Sequence, residues 1–190
     1  VLWMQHHCGI WRSDDHALSD VAEHRAGLFS TYNRYVRSAV DPAYRAEREQ
    51  HHLLLYPLFV TGFLIDDFLA ERAGDEQVVL SSASAKTALG VAHAARLRGA
   101  PVVGLTSAGN VATVAALGVY DEVLAYDDVA GLARVPSVFV DIAGNADVVH
   151  AVHHHLAGLL GHSMVVGNTS WDHQATTTGD LPAPAPEFFF

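Results

Sequence analysis

From Gln77 to Trp171 the apolar positions fall in short, unbroken blocks set between segments that read as helices. Val78-Val79-Leu80, Val102-Val103-Gly104-Leu105, Val123-Leu124-Ala125, Val138-Phe139-Val140-Asp141 and Met164-Val165-Val166-Gly167 predict five strands. They are mostly β-branched and lack polar alternation, the signature of strands buried on both faces. The intervening segments predict helices over Ala85–Arg98, with Ser84 as its cap, from Ser107 or Asn110 to about Gly118, over Val129–Leu132, and over Asp147–Leu160. Strand and helix alternating in this way predict βαβ units and a doubly wound parallel sheet, an α/β fold with its ligand at the carboxyl edge of the strands.

Upstream, Leu53–Ala73 is the most apolar stretch and predicts a helix ending at Gly74. Its run from Leu53 to Ile65 meets Asp66 and Asp67 and is too short to span a bilayer, so it reads as a buried helix. Residues 1–40 show no sustained period, and Asp41–His52 reads as a connector or short helix. The expected organisation is an irregular amino-terminal segment with its connector over 1–52, a nucleotide-binding domain with its leading helix over 53–175, and a loop-like tail over 176–190. The chain opens on Val1 and closes on three phenylalanines, so it is expected to be a fragment or a short member of something longer.

Composition narrows the partners. Half of the 190 residues are hydrophobic, a globular balance. The net charge of −10 argues against nucleic acid and anionic membrane. A single cysteine, Cys8, excludes an internal disulfide framework, and with no signal-peptide pattern at the start the expected location is the cytoplasm.

The first strand-to-helix turn, Leu80-Ser81-Ser82-Ala83-Ser84-Ala85-Lys86-Thr87-Ala88, carries the main chemical clue. In a Rossmann-type fold this turn holds a pyrophosphate on backbone N–H groups, usually with glycines. Here hydroxyls stand instead, on Ser81, Ser82, Ser84 and Thr87, and Lys86 is the only lysine of the chain. Lys86 reads as a phosphate-binding cation or as a solvated lysine at a helix start. A P-loop is the weaker alternative, since it needs glycine where Leu80 and Ala85 stand. After the second strand, Thr106, Ser107 and Asn110 occupy the place where an acid would bind the ribose of NAD; without that acid the expectation leans to NADP(H). Asp141 is either a polar anchor or a helix cap, with Asn145 beside it, and Thr169 and Trp171 follow the fifth strand. His150 and His154 are spaced for weak metal binding, but no acidic or cysteine ligand accompanies them, and no metal is expected.

The order of these landmarks resembles the medium-chain dehydrogenase/reductase superfamily, in particular its zinc-independent, quinone-reductase-like branch. Arg98-Gly99-Ala100-Pro101-Val102-Val103-Gly104, Leu117-Gly118-Val119-Tyr120-Asp121-Glu122-Val123 and Val140-Asp141-Ile142-Ala143-Gly144 carry the likeness. Pro57-Leu58-Phe59, Phe63-Leu64-Ile65-Asp66-Asp67-Phe68 and the serine-rich turn are more similar still to a family of unknown function related to those reductases. The resemblance implies cofactor contacts at Ser82, Ser84, Lys86, Thr87, Thr106, Ser107, Asn110, Asp141, Asn145 and Thr169, with the amino-terminal barrel missing or truncated. It implies NADP(H)-dependent hydride transfer to a carbonyl or activated alkene of a small-molecule substrate, in a homodimer. The competing expectation is a non-catalytic module of this fold that has lost its cofactor and serves in assembly.

Overall fold

A computed structural model describes residues 11–28, 30, 33–167 and 181–189. The chain divides into two compact units, Val1–Leu53 and Leu54–Phe190. The first holds a three-stranded antiparallel sheet of β1 (Trp11–Ser13), β2 (Ala17–Asp20) and β3 (Arg34–Val36), in that order. The sequence did not predict these strands because β1 and β3 are largely exposed and all three are too short to leave an alternating apolar record.

α1 (Glu49–Ala73) leads into the second unit: β4 (Gln77–Leu80), α2 (Lys86–Leu97), β5 (Val102–Thr106), α3 (Val111–Ala115), β6 (Glu122–Ala125), β7 (Ser137–Asp141), α4 (Ala146–His155), β8 (Leu160–Val165) and β9 (Glu187–Phe188). The sheet order is β6-β5-β4-β7-β8-β9, every pair parallel. This is the doubly wound order, with its direction reversing between β4 and β7. Alternate residues of the central strands enter two separate cores. Val78, Leu80, Val102, Val138 and Val140 pack with α1, α2 and α3 on one face. Val79, Val103, Leu105 and Phe139 pack with α4 on the other. Two buried faces are why the strands read as unbroken apolar blocks.

Several boundaries differ from the sequence reading. α4 stops at His155; Gly158 turns the chain at φ 78°, and Leu160 already begins β8. The 3-10 segment Tyr126–Gly131 replaces the helix expected over Val129–Leu132. A sixth strand, β9, arises from the tail, pairing Met164 with Glu187 and Val165 with Phe188. Buried His153 helps hold that tail, bonding the Pro182 carbonyl through Nδ1 at 3.0 Å and the Ser163 hydroxyl through Nε2 at 2.8 Å. A carbonyl only accepts, so Nδ1 donates to Pro182. Phe189 packs edge-on against Phe68, while Phe188 is 80% exposed.

The leading helix ends at Ala73 as expected and begins at Glu49, but the expectation that it is buried is corrected. α1 runs for 25 residues, and buried Asp66 within it pairs with Arg98 Nε at 2.9 Å. Gly62, Ile65, Asp66, Leu69 and Ala73 are buried, but Leu53, Leu54, Tyr56, Phe63 and Leu64 are exposed. The span Ala46–Ala73 is long and apolar enough to cross a membrane by length and composition, with mean hydropathy 1.7 and 22% of its apolar window buried. The buried half crosses α2 at glycines. A Cβ on Gly62 would lie 2.7 Å from the Val91 nitrogen, and one on Gly90 3.2 Å from the Phe59 Cα.

Candidate functional site

The parallel strands bring the β4–α2 turn, the end of β5 and the β7–α4 loop to one carboxyl edge, where the sheet changes direction. The turn is held from its first residue. Ser81, fully buried, donates its hydroxyl to Asp141 Oδ1 at 2.6 Å. Its oxygen accepts from the Ile142 and Ala143 N–H groups at 2.7 and 2.9 Å. Asp141 Oδ1 also accepts from the Ala143 and Gly144 N–H groups at 3.2 and 3.1 Å. Burial pushes the Asp141 carboxyl above its ordinary range, against the pull of the Ser81 hydroxyl and these amides. Of the two readings of Asp141, the structure supports the anchor. The helix cap is Asn145, whose Oδ1 accepts from the Asp147 and Val148 N–H groups at 3.0 and 3.4 Å.

The next residues are held from other strands. Ser82 has φ 51°, the left-handed region that glycine usually fills in such turns. Its N–H donates to Tyr126 Oη at 3.1 Å. The Ala83 N–H donates to the Leu105 carbonyl at 3.0 Å, and Tyr120 Oη donates to the Ala83 carbonyl at 2.8 Å. Gly104 makes room for this packing, since a Cβ there would lie 2.8 Å from the Ala83 Cβ and 3.0 Å from the Tyr120 ring. A left-handed non-glycine residue costs about 1–3 kcal/mol and persists only where its surroundings over-determine it. Here Asp141, Leu105 and Tyr120 do so. The turn thus keeps a glycine-like path without glycine.

The turn opens α2, whose N-cap is Ala85 with no side-chain cap bond, so Ser84 is not the cap expected. The first amides of α2 are left as donors at the carboxyl edge, with the positive end of the helix dipole behind them. Ser84 and Lys86 are exposed and Thr87 is half-buried at this end. Thr106 is 1% exposed, enclosed within β5, which withdraws its side chain from the expected ribose contact. Ser107 and Asn110 are exposed, and neither caps a helix with its side chain. Asp141 is likewise turned inward as a support rather than a ligand contact. Thr169 and Trp171 lie outside the described residues. The structure therefore groups Ser82, Ser84, Lys86, Thr87 and Ser107 at one edge, with Asn145 capping α4 on the same edge. His150 and His154 stack with ring centroids 4.0 Å apart, and among the described residues no three metal-ligating side chains gather.

Ser81, Tyr120, Tyr126 and Gly104 were not legible as site residues. Ser81 was read as one of several hydroxyls facing a ligand. The one signal for Tyr126 was its place immediately after a strand of the sheet.

This edge and strand order define a doubly wound, Rossmann-type α/β fold. Residues 6–190 match the family described as protein of unknown function, DUF2855, and the chain belongs to that family. No curated protein matches the chain in sequence. Among solved structures, it is similar to a provisionally assigned NADPH:quinone reductase of Mesorhizobium loti, at TM-score 0.58 and 11% identity over 84% of this chain. It is also similar to galactitol-1-phosphate dehydrogenase of Escherichia coli, at TM-score 0.51 and 15% identity over 78% of this chain. These likenesses show a shared fold, a doubly wound α/β sheet that each of those two proteins contains as part of a longer chain. The chain spans only 48% and 42% of those two proteins.

Proposed function

We propose that this chain is the nucleotide-binding part of an NADP(H)-dependent oxidoreductase of the zinc-independent medium-chain type. The observation that carries the reading is the uncapped start of α2 at the sheet's switch point, beside a left-handed Ser82 and the only lysine of the chain. Those groups fit a pyrophosphate: amide donors and a helix dipole for its oxygens, and Lys86 for its charge. Ser107, exposed at the end of β5 where no acid stands, suits a 2′-phosphate better than a bare ribose. The cofactor, when bound, supplies hydride transfer to a carbonyl or activated alkene. This chain's own residues bind and orient: Lys86 holds phosphate, the Ser81–Asp141 pair fixes the turn, and Asn145 fixes the start of α4.

Calorimetric titration with NADPH and NADH tests the reading. NADPH is expected to bind the tighter, and Lys86→Ala to weaken it ten- to a hundredfold, the effect of one charge-assisted hydrogen bond. Tighter NADH would reverse the cofactor choice, and unchanged affinity in Lys86→Ala would remove the phosphate role. Binding of neither nucleotide by the folded chain would leave the non-catalytic assembly module.

A further inference from the structure

In the sheet β5 lies between β4 and β6. Tyr126, the first residue after β6, touches the β4–α2 turn only by reaching over the carboxyl end of β5, and its hydroxyl accepts the Ser82 N–H at 3.1 Å. The half-buried Tyr126 ring packs on the core beneath α4, whereas the turn leads into α2 on the opposite face of the sheet. The side chain therefore bridges the crevice between the two helix layers. It does so over the strand end where the reading above places the ribose, and its partner is the amide of the left-handed residue in the phosphate-binding turn.

Two acceptors compete for that one donor. The part-buried Ser82 amide needs a partner, and the phenol supplies it. A phosphate oxygen is the stronger acceptor because it is charged. We propose that Tyr126 is a bar across the crevice, which a dinucleotide must displace from Ser82 in order to bind. The proposal rests on the cofactor reading given above. It makes Tyr126 a determinant of affinity: the fraction of molecules with the bar closed reduces apparent binding by that fraction.

Y126F keeps the ring in its core and removes the acceptor. NADPH titrated into the full chain is expected to bind Y126F about two- to tenfold tighter than the parent, the worth of one neutral hydrogen bond. Binding by Y126F alone would be the same result in its strongest form. In a second measurement, 3-fluorotyrosine placed at position 126 of the otherwise unchanged chain is expected to shift its fluorine resonance when NADPH saturates the site. Equal or weaker binding by Y126F, or a fluorine resonance that NADPH leaves unmoved, overturns the bar while the cofactor reading stands. If neither protein binds NADPH or NADH, the cofactor reading falls and the bar falls with it.

Discussion

Ser81→Ala tests the support beneath the turn. The hydroxyl it removes is fully enclosed, donates to Asp141 at 2.6 Å and accepts from two backbone amides. Losing a hydrogen bond to a buried carboxylate costs about 1.5–3 kcal/mol, and a stranded buried N–H about 1–3 kcal/mol. The Ala143 amide keeps Asp141 Oδ1 at 3.2 Å, so the second cost falls on Ile142. Together the loss should be about 3–5 kcal/mol, a large share of a domain's usual 5–15 kcal/mol. In equilibrium urea unfolding at neutral pH, the midpoint should drop by about 1.5–2.5 M at unchanged slope, taking a slope near 2 kcal/mol per M. Asp141→Asn keeps an acceptor but removes the charge, so adding Ser81→Ala to it should cost at least about 1 kcal/mol less than in the parent. A Ser81→Ala loss under about 1 kcal/mol, or full additivity with Asp141→Asn, would show that the pair does not hold the turn.

Asp141 also sets a pH dependence. Its folded carboxyl is raised above 3.8, so the folded chain holds the proton more tightly than the unfolded one. The resulting stability is complete below the unfolded value and is lost as pH rises through the folded one. Urea unfolding from about pH 4 to 7 should therefore show the parent losing ground to Asp141→Asn; a flat or rising difference contradicts this. At the helix crossing, Gly62→Ala places a methyl 2.7 Å from the Val91 nitrogen, which no side-chain rotation relieves. Overpacking of about 1–3 kcal/mol should outweigh the helix-propensity gain of up to about 1 kcal/mol, and a variant with a raised melting temperature would refute it. The exposed apolar side of α1 leads us to propose self-association as a homodimer. Sedimentation at micromolar concentration should show it, with Phe63→Glu shifting the balance toward monomer; a monomeric parent chain would count against it.

The central strands were legible because burial on both faces leaves a continuous apolar block, as in Val78-Val79-Leu80 and Val138-Phe139-Val140. β8 was misplaced because Gly161, His162 and Ser163 break its apolar run, although Ser163 is buried against His153. The two residues of β9 carry no pattern of their own and form a strand only through β8. At the site, the position of the turn and its cation could be read from local sequence. The inward direction of Ser81 could not, because its partner Asp141 stands sixty residues further on. A hydroxyl facing a phosphate and a hydroxyl facing a buried carboxylate are the same letter in a serine-rich run. Tyr126 belongs to the same class: its role exists only once strand order places it two strands away from Ser82.

The glycine crossing governs how α1 tolerates changes of length. Main-chain atoms alone set the approach of α1 to α2 at Gly62, and the pairing of Asp66 with Arg98 lies one turn further along. A residue inserted before Leu58 would turn the preceding part of the helix by about 100° and advance it by about 1.5 Å, leaving the crossing in register. The same insertion between Gly62 and Ala73 would rotate the glycine off α2 and bring a side chain to a place with no room for one. Length variation among related chains should therefore accumulate on the amino-terminal side of Leu58, and the stretch from Leu58 to Arg72 should act as a fixed ruler.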